Sequence, residues 1–138
     1  MQYWLIKTEP SSWSWQDQLD AAEKGTYWDG VRNYQASNNM KAMKTGDRCF
    51  FYHSVKEKQI VGSVEVIKEY YPDHTDASGR FGMVDVKALD TFPTPVTLAQ
   101  IKAEDALGEL ALIRQSRLSV VPIDAPSWDL ICKMGGLC

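Results

Sequence analysis

Three strand-like segments follow one another in the middle of the chain with no helical pattern between them, and this limits its fold more than any other feature. Arg48-Cys49-Phe50-Phe51-Tyr52-His53 is dense in β-formers, residues 59–70 carry Ile60, Val61, Val64, Val66 and Ile67, and residues 83–92 alternate Met83, Val84, Val86 and Ala88 with charges. Such residues suit a pleated, half-buried surface. Strands in direct succession are joined by hairpins, so an alternating βαβ fold is excluded. Gly62 marks a bulge or a close approach inside the second segment. Residues 72–80, with Asp73, Asp76, Ser78 and Gly79, read as a loop. Pro93 and Pro95 are expected to end the third strand.

The helical patterns lie to either side. Tyr3-Trp4-Leu5-Ile6 reads as a buried strand that Pro10 cannot continue. Ser12 or Ser14 then caps a helix with Trp15, Leu19 and Ala22 on one face and Gly25 at its end. A second helix over 34–44 presents Ala36, Met40 and Met43 and stops at Gly46. Thr97 caps a short helix, 108–113 form a helix or turn, 118–123 a strand, and 125–134 a closing helix with Pro126 in its first turn. The order β α α β β β α β α is α+β. It predicts a small, mostly antiparallel β-barrel of about five to six strands, closed or nearly so, with short peripheral helices. At 138 residues the chain is expected to be a single domain over 1–138.

Composition removes several function classes. Fifteen Lys and Arg against eighteen Asp and Glu give a net charge of −3. A diffuse basic coat for nucleic acid is excluded, so any such contact is local. Residues 1–60 hold eight cations against seven acids and residues 61–138 seven against eleven, which places the positive side of the balance in the first part. No apolar run approaches the roughly 20 residues that cross a bilayer, and Met1 to Lys7 show no signal-peptide layout; no membrane partner is expected. Cys49, Cys132 and Cys138 have no C-x-x-C spacing and read as reduced thiols. With only His53 and His74 beside them, no zinc tetrahedron forms without several carboxylates, so neither metal nor cofactor is expected. Phosphate-loop, dinucleotide and zincin motifs are absent.

Three segments could carry chemistry. Trp28-Asp29-Gly30-Val31-Arg32-Asn33-Tyr34-Gln35-Ala36-Ser37-Asn38-Asn39 combines rings that stack on a base with amides and a carboxylate that bond its edge. The plainer reading is a core Trp28, with Asp29 and Asn33 merely capping the helix. In Phe50-Phe51-Tyr52-His53-Ser54, Phe51 and His53 share one face and Phe50, Tyr52 and Ser54 the other; one face is core, and the other is core or pocket. Asp85 alternates with Val84 and Val86, so it is either outward-facing or a paired buried acid.

These segments, together with Tyr3-Trp4-Leu5-Ile6-Lys7-Thr8-Glu9-Pro10, Tyr71-Pro72-Asp73, Met83-Val84-Asp85-Val86 and Arg117-Leu118-Ser119-Val120, resemble the EVE domain family of the PUA-like superfamily, block by block and in family order. The resemblance implies a PUA-like barrel, a relation to YTH domains with their aromatic cage for methylated adenine, and a non-catalytic reader of a modified base in DNA or RNA, modified cytosine foremost. It carries Trp28 over as a pocket wall. The later cage position falls near Asp85 and Val86, neither aromatic, which departs from a full methyl-ammonium cage.

The expected base-binding set is Trp28, Gly30, Asn33, Tyr34, Tyr52, His53, Ser54 and Asp85, with Ala36, Val86 or Leu118 lining a hole for a small apolar substituent. The expected phosphate contacts are Lys7, Arg32, Lys41, Lys44 and Arg117. The bare domain looks like a bacterial-type member, for which a cytoplasmic monomer is expected. Two other readings stay open: an enzyme acting on a nucleobase or nucleotide through Asp85, His53 or Glu9, and a protein-interaction module.

Overall fold

The computed structural model describes residues 1–137, so the reading of Cys138 as a thiol lies outside the described residues. Six strands form one sheet: β1 (Tyr3–Thr8), β2 (Thr26–Tyr27), β3 (Arg48–His53), β4 (Gln59–Pro72), β5 (Gly82–Thr97) and β6 (Val120–Ile123), in the order β2-β5-β4-β3-β1-β6. Among the described residues five α-helices flank it: α1 (Trp15–Asp20), α2 (Tyr34–Ala42), α3 (Leu98–Ala103), α4 (Ala111–Arg114) and α5 (Ala125–Met134).

The consecutive strands pair as antiparallel hairpins, whereas β1 and β3 run parallel, from Tyr3 opposite Arg48 to Thr8 opposite His53. The chain between them, with α1, β2 and α2, supplies the long crossover a parallel pair needs. The central strands are covered on both faces, which is why they read as continuous apolar runs. On one face Phe50 stacks on Trp128 of α5 at 3.8 Å between centroids, and Tyr3 on the same indole at 4.6 Å. On the other, Phe51 meets Trp15 of α1 at 5.0 Å and Trp28 at 5.5 Å, both edge-on.

The expected barrel is not what forms. The sheet is mixed and open, because among the described residues its outer strands β2 and β6 pair with nothing beyond β5 and β1. Each is a poor partner. β2 has two residues, too few to be read from sequence. In β6, the Lys7 N–H bonds to the Ser119 carbonyl, so Pro122 opposite Trp4 occupies a non-hydrogen-bonded pair. Its ring nitrogen faces outward and offers no donor to a closing strand. Nor do Pro93 and Pro95 end β5. They fall between the pairs Gly62–Thr91 and Ile60–Val96, where the register shifts and the ladder needs no donor from them.

Local signals place α1 firmly. Ser14 and Asp17 form a capping box, and the Trp15 N–H donates to His53 Nε2 at 3.0 Å. His53 Nδ1 lies 3.0 Å from Glu57 Oε1; since Nε2 accepts, Nδ1 carries the hydrogen. Behind the Trp15 indole, Gly62 leaves no room for a side chain: an added Cβ would sit 2.3 Å from the ring. At the opposite end of β1, the buried Asp47 carboxylate accepts from Gln2 N–H, Trp4 Nε1 and Lys44 N–H at 3.0–3.2 Å, joining the segment after α2 to the first strand.

Gly62→Ala is expected to destabilise the fold by about 1–3 kcal/mol, the usual cost of overpacking. Urea unfolding measures it. Trimming the opposing ring in a Gly62→Ala, Trp15→Leu double variant should give a smaller loss than the two single changes add up to.

Candidate nucleic-acid interface

A cleft of about 460 Å³ opens beside the C-terminal end of β1. Trp13, Tyr27 and Trp28 supply its aromatic surface; Lys7, Thr8, Ser12 and Asp29 supply polar groups, and Thr26 and Gly30 complete it. The volume suits a small-molecule-sized group. Trp28 is both core and wall. Its N–H donates to the Val84 carbonyl at 2.7 Å, its ring packs edge-on to Phe51, and only 7% of it is exposed. Trp13 is half-buried, with its indole N–H bonded to Gln18 Oε1 at 3.0 Å. Tyr27 is 47% exposed and meets His74 edge-on at 4.7 Å.

The rim of this cleft is set by one buried carboxylate. Asp73 accepts from Gly30 N–H at 2.9 Å, Arg32 Nη1 at 3.0 Å, and Thr75 N–H and Oγ1 at 2.7 and 2.6 Å. Arg32 also donates through Nη2 to Thr75 Oγ1 at 2.9 Å. Gly30 has φ +81, a conformation that favours glycine. Burial alone would raise the Asp73 pKa, but the bonds from Thr75, Gly30 and Arg32 outweigh it and hold it down at about 2. Nearby, Asp85 Oδ1 accepts from the Tyr71 hydroxyl at 2.5 Å, and burial together with this bond pushes the phenol up to about 12. The Lys68 ammonium stands 3.9 Å from the Tyr71 ring centroid.

Of the base-binding set read from the sequence, the cleft brings together Trp28 and Gly30. Asn33 caps α2, accepting from Ala36 N–H at 2.9 Å. Tyr34 is 60% exposed and leans on Phe81. Tyr52 is buried, its hydroxyl pKa raised by burial, with the Lys7 ammonium 5.8 Å from its ring centroid. His53 is engaged through both nitrogens. Ser54 lines a separate groove with Glu9 and Pro10, and Asp85 is bonded to Tyr71. Ala36, Val86 and Leu118 are buried in the core rather than lining the cleft.

Among the cations, Lys7 lines the cleft, its pKa lowered by burial and its Nζ donating to the Ser116 carbonyl at 2.9 Å. Arg32 sits at the rim with 39% of its side chain exposed. Arg117 flanks a polar groove with Asn33 and Ser116. Lys41 lies over the Tyr70 ring at 5.5 Å, and Lys44 borders a different groove beside Met1 and Gly46. Among the described residues no group of three or more His, Cys, Asp or Glu is arranged to hold a metal.

Sequence reasoning missed Trp13, Tyr27, Ser12 and Thr8. Five Trp and six Tyr, many for 138 residues, were the available signal, but their number carries no address: Trp13 and Trp15 stand two apart, one in the cleft and one in the core.

The Asp73 carboxyl is depressed in the fold relative to about 3.9 in an unfolded chain. Its contribution is therefore full above pH 4 and lost as the pH falls through about 2. With the exposure of Arg32 discounted, that contribution is about 1–2 kcal/mol. Asp73→Asn should be less stable than the parent at pH 7, and the gap should narrow between pH 4 and 2 in urea titrations.

The sequence pattern of the EVE domain matches residues 2–134. Human thymocyte nuclear protein 1 is 34% identical, over 96% of this chain and 73% of its own length. The crystal structure of that human protein in complex with 5-methylcytosine-containing DNA superposes with a TM-score of 0.92 at 33% identity, covering 99% of this chain and 98% of that one. The NMR structure of a Rhodopseudomonas palustris protein is 55% identical with a TM-score of 0.94, covering 99% of this chain and 94% of that one. The YTH domain of Mmi1, at 12% identity and a TM-score of 0.57 over 96% of this chain and 86% of that one, shares the fold alone. With the family pattern spanning nearly every element of the sheet and the cleft, the chain belongs to the EVE domain family.

Proposed function

We propose that this protein is a non-catalytic reader of modified cytosine in DNA, taking the base into the cleft beside Trp28. The observation that carries the reading is the cleft's make-up: Trp13, Tyr27 and Trp28 beside Lys7, Ser12 and Asp29, in a chain whose human relative was solved in complex with 5-methylcytosine-containing DNA. Extruding a base from the stack costs a few kcal/mol, and each aromatic stack returns about 1–3 kcal/mol. A cytosine presents an amino donor that the Asp29 carboxylate suits. An indole face beside the base accommodates a methyl group that water would solvate poorly.

The arrangement of acids and bases supports binding over catalysis. His53 caps α1 and is held by Glu57, Asp85 is bonded to Tyr71, and Glu9 lines another groove. None of these three lines the cleft.

Short oligonucleotides carrying one 5-methylcytosine are expected to bind about tenfold more tightly than their unmodified parents, within the 1–3 kcal/mol that a methyl-sized difference gives. Fluorescence anisotropy measures this on DNA and RNA strands in parallel. Equal affinity for modified and unmodified strands would sink the reader, and a preference for RNA would overturn the DNA assignment. Trp13→Ala should weaken binding about tenfold. Trp28→Ala should in addition destabilise the fold, because the ring is also core. With Lys7, Arg32 and Arg117 as the phosphate contacts, log Kobs against log salt should fall with a slope of about −2 to −3; a slope steeper than about −7 would contradict a local contact.

A further inference from the structure

Beside the cleft lies a second aromatic surface. Tyr34, the first residue of α2, leaves 60% of its surface exposed, yet its ring is not loose: it leans on Phe81 with centroids 5.0 Å apart and planes at 35°. The Arg32 guanidinium stands 5.9 Å from the centroid of the same Phe81 ring. A tyrosine so exposed is unusual in a chain that buries Trp4, Trp15, Trp28, Trp128 and every phenylalanine but Phe81.

The surface is held stiffly. Asp73 clamps Gly30 and Arg32 from one side. Asp76, in the same turn, accepts from Ser78 N–H and Oγ and from the Phe81 N–H at 2.6–2.9 Å, which sets Phe81 in place and engages that carboxylate within the turn. Asn33 caps the helix on which Tyr34 stands. A chain of contacts links the surface to the cleft: Asp73 bonds both Gly30, which lines the cleft, and Arg32, which stands beside Phe81, and Phe81 backs Tyr34; Tyr34 follows Gly30 by four residues, a span of at most about 14 Å. A flat ring backed by a second ring, with a guanidinium alongside, is the chemistry that stacks on a base and faces its phosphate.

Building on the reading of the cleft as a base pocket, we propose that Tyr34, backed by Phe81 and Arg32, is a stacking platform for the base next to the modified one in the same strand. Extruding one base exposes the face of its neighbour, and Tyr34 covers that face. The platform contributes affinity without touching the modified group. The cleft distinguishes the modification, and the platform does not.

This separation is what the experiment reads. Binding of wild type, Tyr34→Ala, Tyr34→Phe and Trp13→Ala is measured on paired oligonucleotides with cytosine or 5-methylcytosine at one position and the fluorescent adenine analogue 2-aminopurine beside it. Tyr34→Ala should lose about tenfold in affinity for both strands, leaving the modified-to-unmodified ratio unchanged. Tyr34→Phe should stay within about twofold of wild type. At saturating protein, 2-aminopurine should be dim against wild type and brighter with Tyr34→Ala. Trp13→Ala should instead reduce the ratio. Unchanged affinity in Tyr34→Ala, or identical 2-aminopurine signals, overturns the platform while leaving the reader intact. A collapsed ratio in Tyr34→Ala also overturns it, by making Tyr34 part of the pocket. If wild type shows no preference for the modified strand, the reader reading fails and the platform falls with it.

Discussion

The arrangement around the cleft depends on the buried carboxylate of Asp73. Four donors converge on its two oxygens, from a loop before α2 and from the turn between β4 and β5. The acid is costly to bury without partners and stable with them, because removing any donor would leave charge in a low-dielectric setting. What it secures is shape. The segment from Trp28 to Tyr34 carries aromatic and polar side chains at the surface and makes few strand contacts of its own. Held by Asp73, it is ordered in advance, so a ligand bound there would not have to order it.

The second condition is a sheet covered on both faces. Phe50 and Phe51 are neighbours on β3 and lie in opposite cores, one under α5 and one under α1 and Trp28. The cleft is built on the second of these. Trp28 can serve as a pocket wall because Phe51 holds its other side, and α1 can stand beside it because His53 caps its first turn. The histidine that the sequence offers as a catalytic or base-binding group spends both ring nitrogens on the framework, one on the Trp15 N–H and one on Glu57.

How much of this was legible follows from how local each signal is. The strands over 48–53, 59–70 and 83–92, a cap at Ser12 or Ser14, the Thr97 cap and the tight spot at Gly62 were readable because each depends on a few adjacent residues. The open sheet was not, because closure depends on whether two strands distant in sequence meet, and β2 is too short to leave a pattern. The site was half legible. Trp28, Gly30 and Arg32 came from one contiguous block, Lys7 from the first strand segment, and both segments from the family resemblance. Asp85 and His53 do not line the cleft, and alternation along a strand gives a face without naming the partner waiting there, Tyr71 in one case and the Trp15 N–H in the other. Trp13 comes from a different element, and its place in the cleft is a tertiary fact.

An open sheet must also live with its edges in a crowded solution, since an unpaired row of donors and acceptors invites a strand from another molecule. Here the outward nitrogen of Pro122 removes a donor from the β6 edge, and the Val120 carbonyl on that edge accepts from Asn39 Nδ2 of α2 at 2.8 Å. The proline that denies β6 a closing strand therefore also makes that edge a poorer template for a strand from another copy. A surface that offers the rings of Tyr27 and Tyr34 to solvent gains from this protection, because a passing contact then finds no ready template for strand addition along β6.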